Sequence, residues 1–139
     1  MNINNISKYD LAYLAGFIDG EGCLAINKRK HKNKFGEWTG YSAYLDLANV
    51  NLEVMEFIKN KFCISSKIYE NQGKGNRKMA YRLRMNKEEA QKIISMIQEF
   101  LIVKKNQAKI FLDFCEDSKN VEKREILWEQ MKKLNHRGL

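Results

Sequence analysis

The run Leu11-Ala12-Tyr13-Leu14-Ala15-Gly16-Phe17-Ile18-Asp19-Gly20-Glu21-Gly22 leaves the fewest folding options of any stretch in this chain. It is apolar until its last turn, in a chain that is 30% charged. Ser7 followed by Asp10 predicts a helix start, with the hydroxyl and the acid each able to satisfy a backbone N–H. Leu11, Leu14, Ala15 and Ile18 form an apolar stripe at helical spacing. Ala12, Gly16 and Gly20 form a second stripe of small residues. A helix that is apolar all round expects burial all round, and small residues every fourth position let another helix approach closely. The run is too short for a bilayer, which needs about 20 apolar residues, so no membrane partner is expected. One face should pack on the chain's own domain and the other on a like helix, through Ala12, Gly16, Asp19 and Gly20. Asp19 and Glu21 lie at the negative end of the helix dipole, where a carboxylate is disfavoured by about 0.3–1 kcal/mol. A divalent cation would reverse that sign. From these residues alone two readings stand open: a metal-holding helix end, or a glycine-terminated buried helix followed by a loop acid.

The rest of the chain predicts one domain over residues 1–139. Alternation from Cys23 to Lys30 gives a strand with Leu24 and Ile26 inward. Residues 31–40 are polar and basic and read as a hairpin loop, followed by a strand from Tyr41 to Val50 with Ala43, Leu45 and Leu47 inward. Asn51 caps a helix on Met55, Ile58 and Phe62. A third strand covers Ser65 to Asn71 and a fourth carries Met79, Tyr81, Leu83 and Met85 inward. Asn86 and Glu89 repeat the capping pattern before a helix on Ala90, Ile93, Ile94 and Ile97. Two helices follow: Val103 to Cys115, burying Ala108, Phe111, Leu112 and Cys115, and a last one capped by Ser118 on Leu127, Trp128, Met131 and Leu134, ending in Lys132, Lys133, His136 and Arg137. The order αββαββα with C-terminal helices gives an α+β fold with an antiparallel sheet covered on one face.

The uncovered face would carry Asn27, Arg29, Ser42, Tyr44, Asp46, Lys67, Tyr69, Asn71, Lys78, Arg82 and Arg84. Half-exposed strands are ordinarily polar, so no one of these residues is diagnostic. As a set, in a chain of net charge +8 with 44% hydrophobic residues, they point to a folded nucleic-acid binder. Arginine suits guanine, asparagine suits adenine, and aspartate can accept from cytosine. Lys28, Lys30, Lys32 and Lys34 are placed to meet phosphates. Cys23, Cys63 and Cys115 lack zinc-ligand spacing and suit apolar packing in a reducing, intracellular compartment. The N-terminus has neither a signal-peptide nor a transit-peptide pattern. Abundant Lys, Asn and Ile fit an AT-rich genome, organellar (mitochondrion or chloroplast) or bacterial.

Leu14-Ala15-Gly16-Phe17-Ile18-Asp19-Gly20-Glu21-Gly22 resembles the signature of the LAGLIDADG homing endonucleases, with Glu21 in place of the last Asp. The order of elements is similar over nearly the whole chain. The resemblance implies a sheet that forms a saddle on double-stranded DNA. It also implies a homodimer joined through the signature helices, since single-signature members act as dimers on long pseudo-palindromic sites. It implies Mg²⁺-dependent hydrolysis with a staggered break in both strands. Glu21 and the Gly20 carbonyl would then be metal ligands. Phe100 to Ala108 looks like the segment that carries an active-site lysine, here Lys104, and Asn49 falls where relatives place a polar water-positioning residue. A maturase that binds its own intron RNA, or a DNA-binding regulator that does not cut, would use the same scaffold.

Overall fold

Ser7 opens the first helix in the way its spacing from Asp10 predicts. The Asp10 N–H donates to Ser7 Oγ and the Ser7 N–H donates to Asp10 Oδ2, starting α1 (Lys8–Glu21). The computed structural model describes residues 5–76, 78–116 and 120–136. Leu14, Ala15 and Ile18 are buried, whereas Ala12, Gly16 and Gly20 face outward. Within one chain, therefore, only one side of this apolar helix is covered.

Strands β1 (Gly22–Asn33) and β2 (Gly36–Asn49) follow, paired without a break from Gly22↔Leu47 to Asn33↔Gly36. The turn is Lys34-Phe35, and Gly36 supplies the left-handed φ of +132° that closes it. Residues 31–40, expected as a loop, are thus mostly ladder. Neither face of the hairpin's outer half packs on the core, so the alternation that marks a strand disappears while the backbone pairing continues. His31 stacks on Trp38 with ring centroids 5.2 Å apart.

Helix α2 (Leu52–Lys61) is capped by Asn51, which accepts from the Val54 N–H. Strands β3 (Ile68–Asn71) and β4 (Ala80–Met85) complete a four-stranded antiparallel sheet in the order β1-β2-β4-β3. Helix α3 (Lys87–Ile97) is capped by Asn86 and followed by a 3-10 turn at Gln98–Phe100. Helices α4 (Lys105–Glu116) and α5 (Val121–Asn135) close the chain. Leu24, Leu45, Leu47, Leu83 and Met85 from one sheet face meet Ile18, Ile58, Ile94, Ile97 and Phe111 in a single core. This is the expected α+β architecture, with helices on one side of the sheet. No helix among the described residues is long and apolar enough to cross a membrane.

Several local expectations changed. The third strand starts at Ile68 rather than Ser65, because Ser65 and Ser66 turn their N–H and hydroxyl donors onto the Glu89 carboxylate, at 2.6–3.4 Å. Glu89 therefore does not reach back to Asn86. Partial burial raises the proton affinity of Glu89, but these four bonds outweigh it and hold its carboxyl below the ordinary carboxylate range. A group more acidic folded than unfolded stabilises fully above the unfolded value and loses that contribution as pH falls through the folded one. Acid unfolding of the wild type should accordingly steepen below about pH 4.5, and Glu89→Gln should remove that part of the dependence. Melting temperature against pH for both proteins checks it.

Helix α4 begins at Lys105, not Val103, and buries Gln107 and Phe114 besides Ala108 and Phe111. Leu112 and Cys115 are only half-buried. The α5 cap is Asn120, accepting from the Lys123 N–H; Ser118 and Arg137 lie outside the described residues. Cys23 and Cys63 are exposed, against the expectation of apolar packing. Cys63, at φ +52°, takes the left-handed position after α2 that usually falls to glycine. Helix α5 seals the β1 edge: Asn135 Nδ2 donates to the Leu24 carbonyl at 2.8 Å, and Glu125 accepts from both Lys28 and the Tyr41 hydroxyl.

Candidate active site and basic face

The end of α1 is tied to a segment far along the chain. Asp19 Oδ2 accepts from the Ile102 N–H at 2.8 Å and Oδ1 from the Lys104 N–H at 2.9 Å. The Lys104 ammonium returns to donate to the Asp19 carbonyl at 2.6 Å. Lys104 is only 7% exposed. A buried ammonium beside the last carbonyls of a helix gains from the helix dipole. The segment before α4 bends so that two of its backbone N–H groups, those of Ile102 and Lys104, reach Asp19. Asp19→Ala removes two bonds to a charged acceptor and should lower stability by about 3 kcal/mol. A fall in the urea midpoint with unchanged slope would register it.

Glu21, two residues on, is exposed and ends the helix. Gly22 permits that ending, since a Cβ there would lie 2.8 Å from the Ile18 carbonyl oxygen. The ladder pairs Gly22 with Leu47. Asn49, two residues further along β2, therefore comes beside the end of α1, and its side-chain oxygen accepts from the Asn51 N–H. Lys104 is thus tied to the last turn of α1, which Glu21 ends, and Asn49 lies two residues along β2 from the partner of Gly22.

Among the described residues no cluster of three His, Cys, Asp or Glu side chains could hold a metal. Both Asp19 oxygens serve backbone N–H groups, leaving the Glu21 carboxylate and the Gly20 carbonyl as hard oxygen donors. Mg²⁺ commonly takes one or two carboxylates and completes its shell with water and phosphate. The donor chemistry fits, but one chain does not close the set.

The outward face of α1 is open at its glycines. A Cβ added at Gly16 or at Gly20 would meet nothing within 4 Å. The chain's own fold therefore gives no reason for glycine at either position. Beside this stripe stand Tyr9, 87% exposed, and Tyr13, whose ring meets Phe57 edge-on at 6.0 Å. Neither tyrosine was among the expected site residues. Tyr9 and Tyr13 stand on the Gly16–Gly20 side of the helix, and that spacing was the available signal.

On the uncovered sheet face, Asn27 pairs with Ser42, Ala25 with Tyr44, Asp46 with Arg84, and Arg82 lies between Ala48 and Tyr69. Asn27, Arg29, Ser42, Lys67, Tyr69, Asn71, Lys78, Arg82 and Arg84 are exposed, and Tyr44 is half-buried. Lys67 and Lys78 precede their strands rather than lying in them. Asp46 departs from the set. Expected as an outward acceptor, it is 8% exposed, with Arg82 Nε and Arg84 Nη2 each 3.2 Å from its Oδ2. The Arg84 guanidinium lies over the Tyr44 ring at 4.1 Å.

Residues 14–117 match the family model described as LAGLIDADG endonuclease. The "Probable intron-encoded endonuclease Cox1-I1b" of Schizosaccharomyces pombe is 33% identical over 93 residues, which is 67% of this chain and 23% of that protein's length. Among solved structures, the archaeal intron-encoded homing endonuclease I-Vdi141I complexed with DNA superposes with a TM-score of 0.74 at 25% identity, covering 94% of this chain and 87% of that one. The homing endonuclease I-CvuI, in complex with the I-CreI target and Mg, gives 0.74 at 17% identity over 95% and 85%, a likeness of fold.

Proposed function

The chain belongs to the LAGLIDADG endonuclease family, and from that premise we propose that it is a homing endonuclease. It binds a long, pseudo-palindromic duplex DNA site as a homodimer and hydrolyses one phosphodiester in each strand with Mg²⁺. The observation that carries this reading is the corner at the end of α1, where exposed Glu21 adjoins a buried Lys104 fixed on the Asp19 carbonyl. A merely structural helix end has no use for an exposed acid there.

The Glu21 carboxylate and the Gly20 carbonyl are the oxygens that would hold Mg²⁺. When bound, the ion neutralises charge at the phosphate and acidifies a water. Lys104 places a fixed positive charge in a low-dielectric setting, suited to the extra negative charge of the phosphorane transition state. Asn49, whose oxygen accepts from the Asn51 N–H, keeps its amide donors available to position a water in this reading. One acid per chain serves one strand. Two chains that meet through Ala12, Gly16 and Gly20 bring two such corners together on a closed twofold axis. The basic sheet then follows the major groove on each side, its lysines on phosphates and its polar strand residues on base edges.

Selection of cleaved molecules from a random duplex pool in Mg²⁺ tests the reading. The expected product is a two-fold-related consensus with staggered ends. Cleavage of no sequence, at any divalent-ion concentration, would overturn it.

A further inference from the structure

An acid on a surface meant for DNA is a contradiction, and Asp46 carries it furthest. Its side chain is 10% exposed, in the middle of the uncovered sheet face. Arg82 and Arg84 point to that face from alternate positions on β4, about 7 Å apart along the strand. Left to themselves, two like charges at that spacing splay into solvent. Asp46 draws both to one oxygen, Oδ2, at 3.2 Å each. Tyr44 then fixes the plane of the Arg84 guanidinium by stacking beneath it at 4.1 Å. Both arginines stay a little under half exposed. Each spends one nitrogen on Asp46, and the other guanidinium nitrogens make no hydrogen bond to protein among the described residues. The second Asp46 oxygen, Oδ1, is buried and has no partner among the described residues. A half-satisfied carboxylate is a poor device for stability. It is a good device for holding two forks in register.

We propose that Asp46 is a specificity-determining positioning residue, which presents Arg82 and Arg84 as a pre-set pair of forks to guanine in the major groove. The inference rests on the duplex-DNA reading above. A guanidinium already locked in plane loses little freedom on meeting the O6 and N7 acceptors of guanine, a bidentate match that no other base offers. The single negative charge also lowers attraction to phosphate that does not depend on sequence. Asp46 thus weakens general binding and strengthens selection.

Those two effects have opposite signs, which separates this role from a merely structural one. Asp46→Asn keeps the shape and removes the charge. Binding to target and to random duplex is measured across a salt series, alongside the base preferences of selected sites. The variant should bind random duplex several-fold more tightly, with a steeper salt dependence by about one unit per protomer. Its preference for guanine at one or two positions per half-site should fall roughly tenfold or more. Arg84→Lys keeps the charge and loses the fork, so it should lose preference at one of the same positions with the wild-type salt slope. If Asp46→Asn fails to fold, Asp46→Glu, which keeps the charge but displaces it by one methylene, takes its place and should lose preference at the position marked by Arg84→Lys, with the wild-type salt slope. Unchanged base preference in a folded Asp46→Asn, or losses at unrelated positions in the two variants, would overturn the inference and leave the nuclease reading intact. A wild type with no sequence preference would overturn both.

Discussion

Glu21→Gln is expected to reduce DNA cleavage about a thousandfold or more while leaving site binding within a few-fold of wild type. The substitution keeps the size of the side chain and one oxygen but removes the charge that a hard divalent cation requires. No other carboxylate at the corner substitutes for it, because both Asp19 oxygens are held by the Ile102 and Lys104 N–H groups. Glu21 is exposed and contributes nothing to the core, so the fold should be unaffected. Supercoiled plasmid carrying the selected site, followed through nicked to linear form, reads the rate; gel shift in Ca²⁺ reads the binding. Unchanged cleavage by the variant would remove Glu21 from the chemistry.

The second large effect is expected at Gly16. Gly16→Leu should abolish dimerisation and cut double-strand cleavage by at least about a hundredfold, yet leave the protomer as stable as before or slightly more so. A side chain at this position meets nothing within 4 Å in its own chain. In an exposed helix interior, replacing glycine with leucine gains roughly 0.5–1 kcal/mol. Only a partner helix at close range makes the leucine costly. Sedimentation, thermal melting and the plasmid assay together separate the two outcomes. A Gly16→Leu protein that remained dimeric and active would show that the glycine stripe serves another purpose.

The positions that sequence reading located well are those where one residue acts on its neighbours. Ser7 with Asp10, Asn51 and Asn86 announce helix starts through bonds three residues long, and strand alternation sorted Leu45 and Leu47 from Ser42 and Tyr44. Where the partner is remote, the pattern was silent. Nothing local says that Asp19 reaches Ile102 and Lys104, or that Glu89 turns to Ser65 and Ser66 instead of closing its own cap. Lys104 entered the candidate site through family resemblance alone; beside Lys105 it has the look of an ordinary surface lysine, yet it is buried. Alternation correctly put Asp46 on the open face but could not show two arginines closing over it. The outer half of the β1–β2 hairpin was missed for a related reason: with no core behind it, it has no apolar period to display.

That hairpin also sets a length. Its twelve paired positions, from Gly22↔Leu47 to Asn33↔Gly36, extend about 40 Å at the usual rise of a strand residue. Duplex DNA advances about 3.4 Å per base pair, nearly the same step. Laid on the proposed duplex, the arm, with its tight turn and the His31–Trp38 stack, would act as a ruler graduated almost in base pairs. In the proposed dimer it measures out about a dozen base pairs on each side of the centre, a little more than one helical turn per protomer. A site of some two dozen base pairs is rare by chance in any genome, so the reach of two strands, as much as any contact they make, limits how often such a protein can cut.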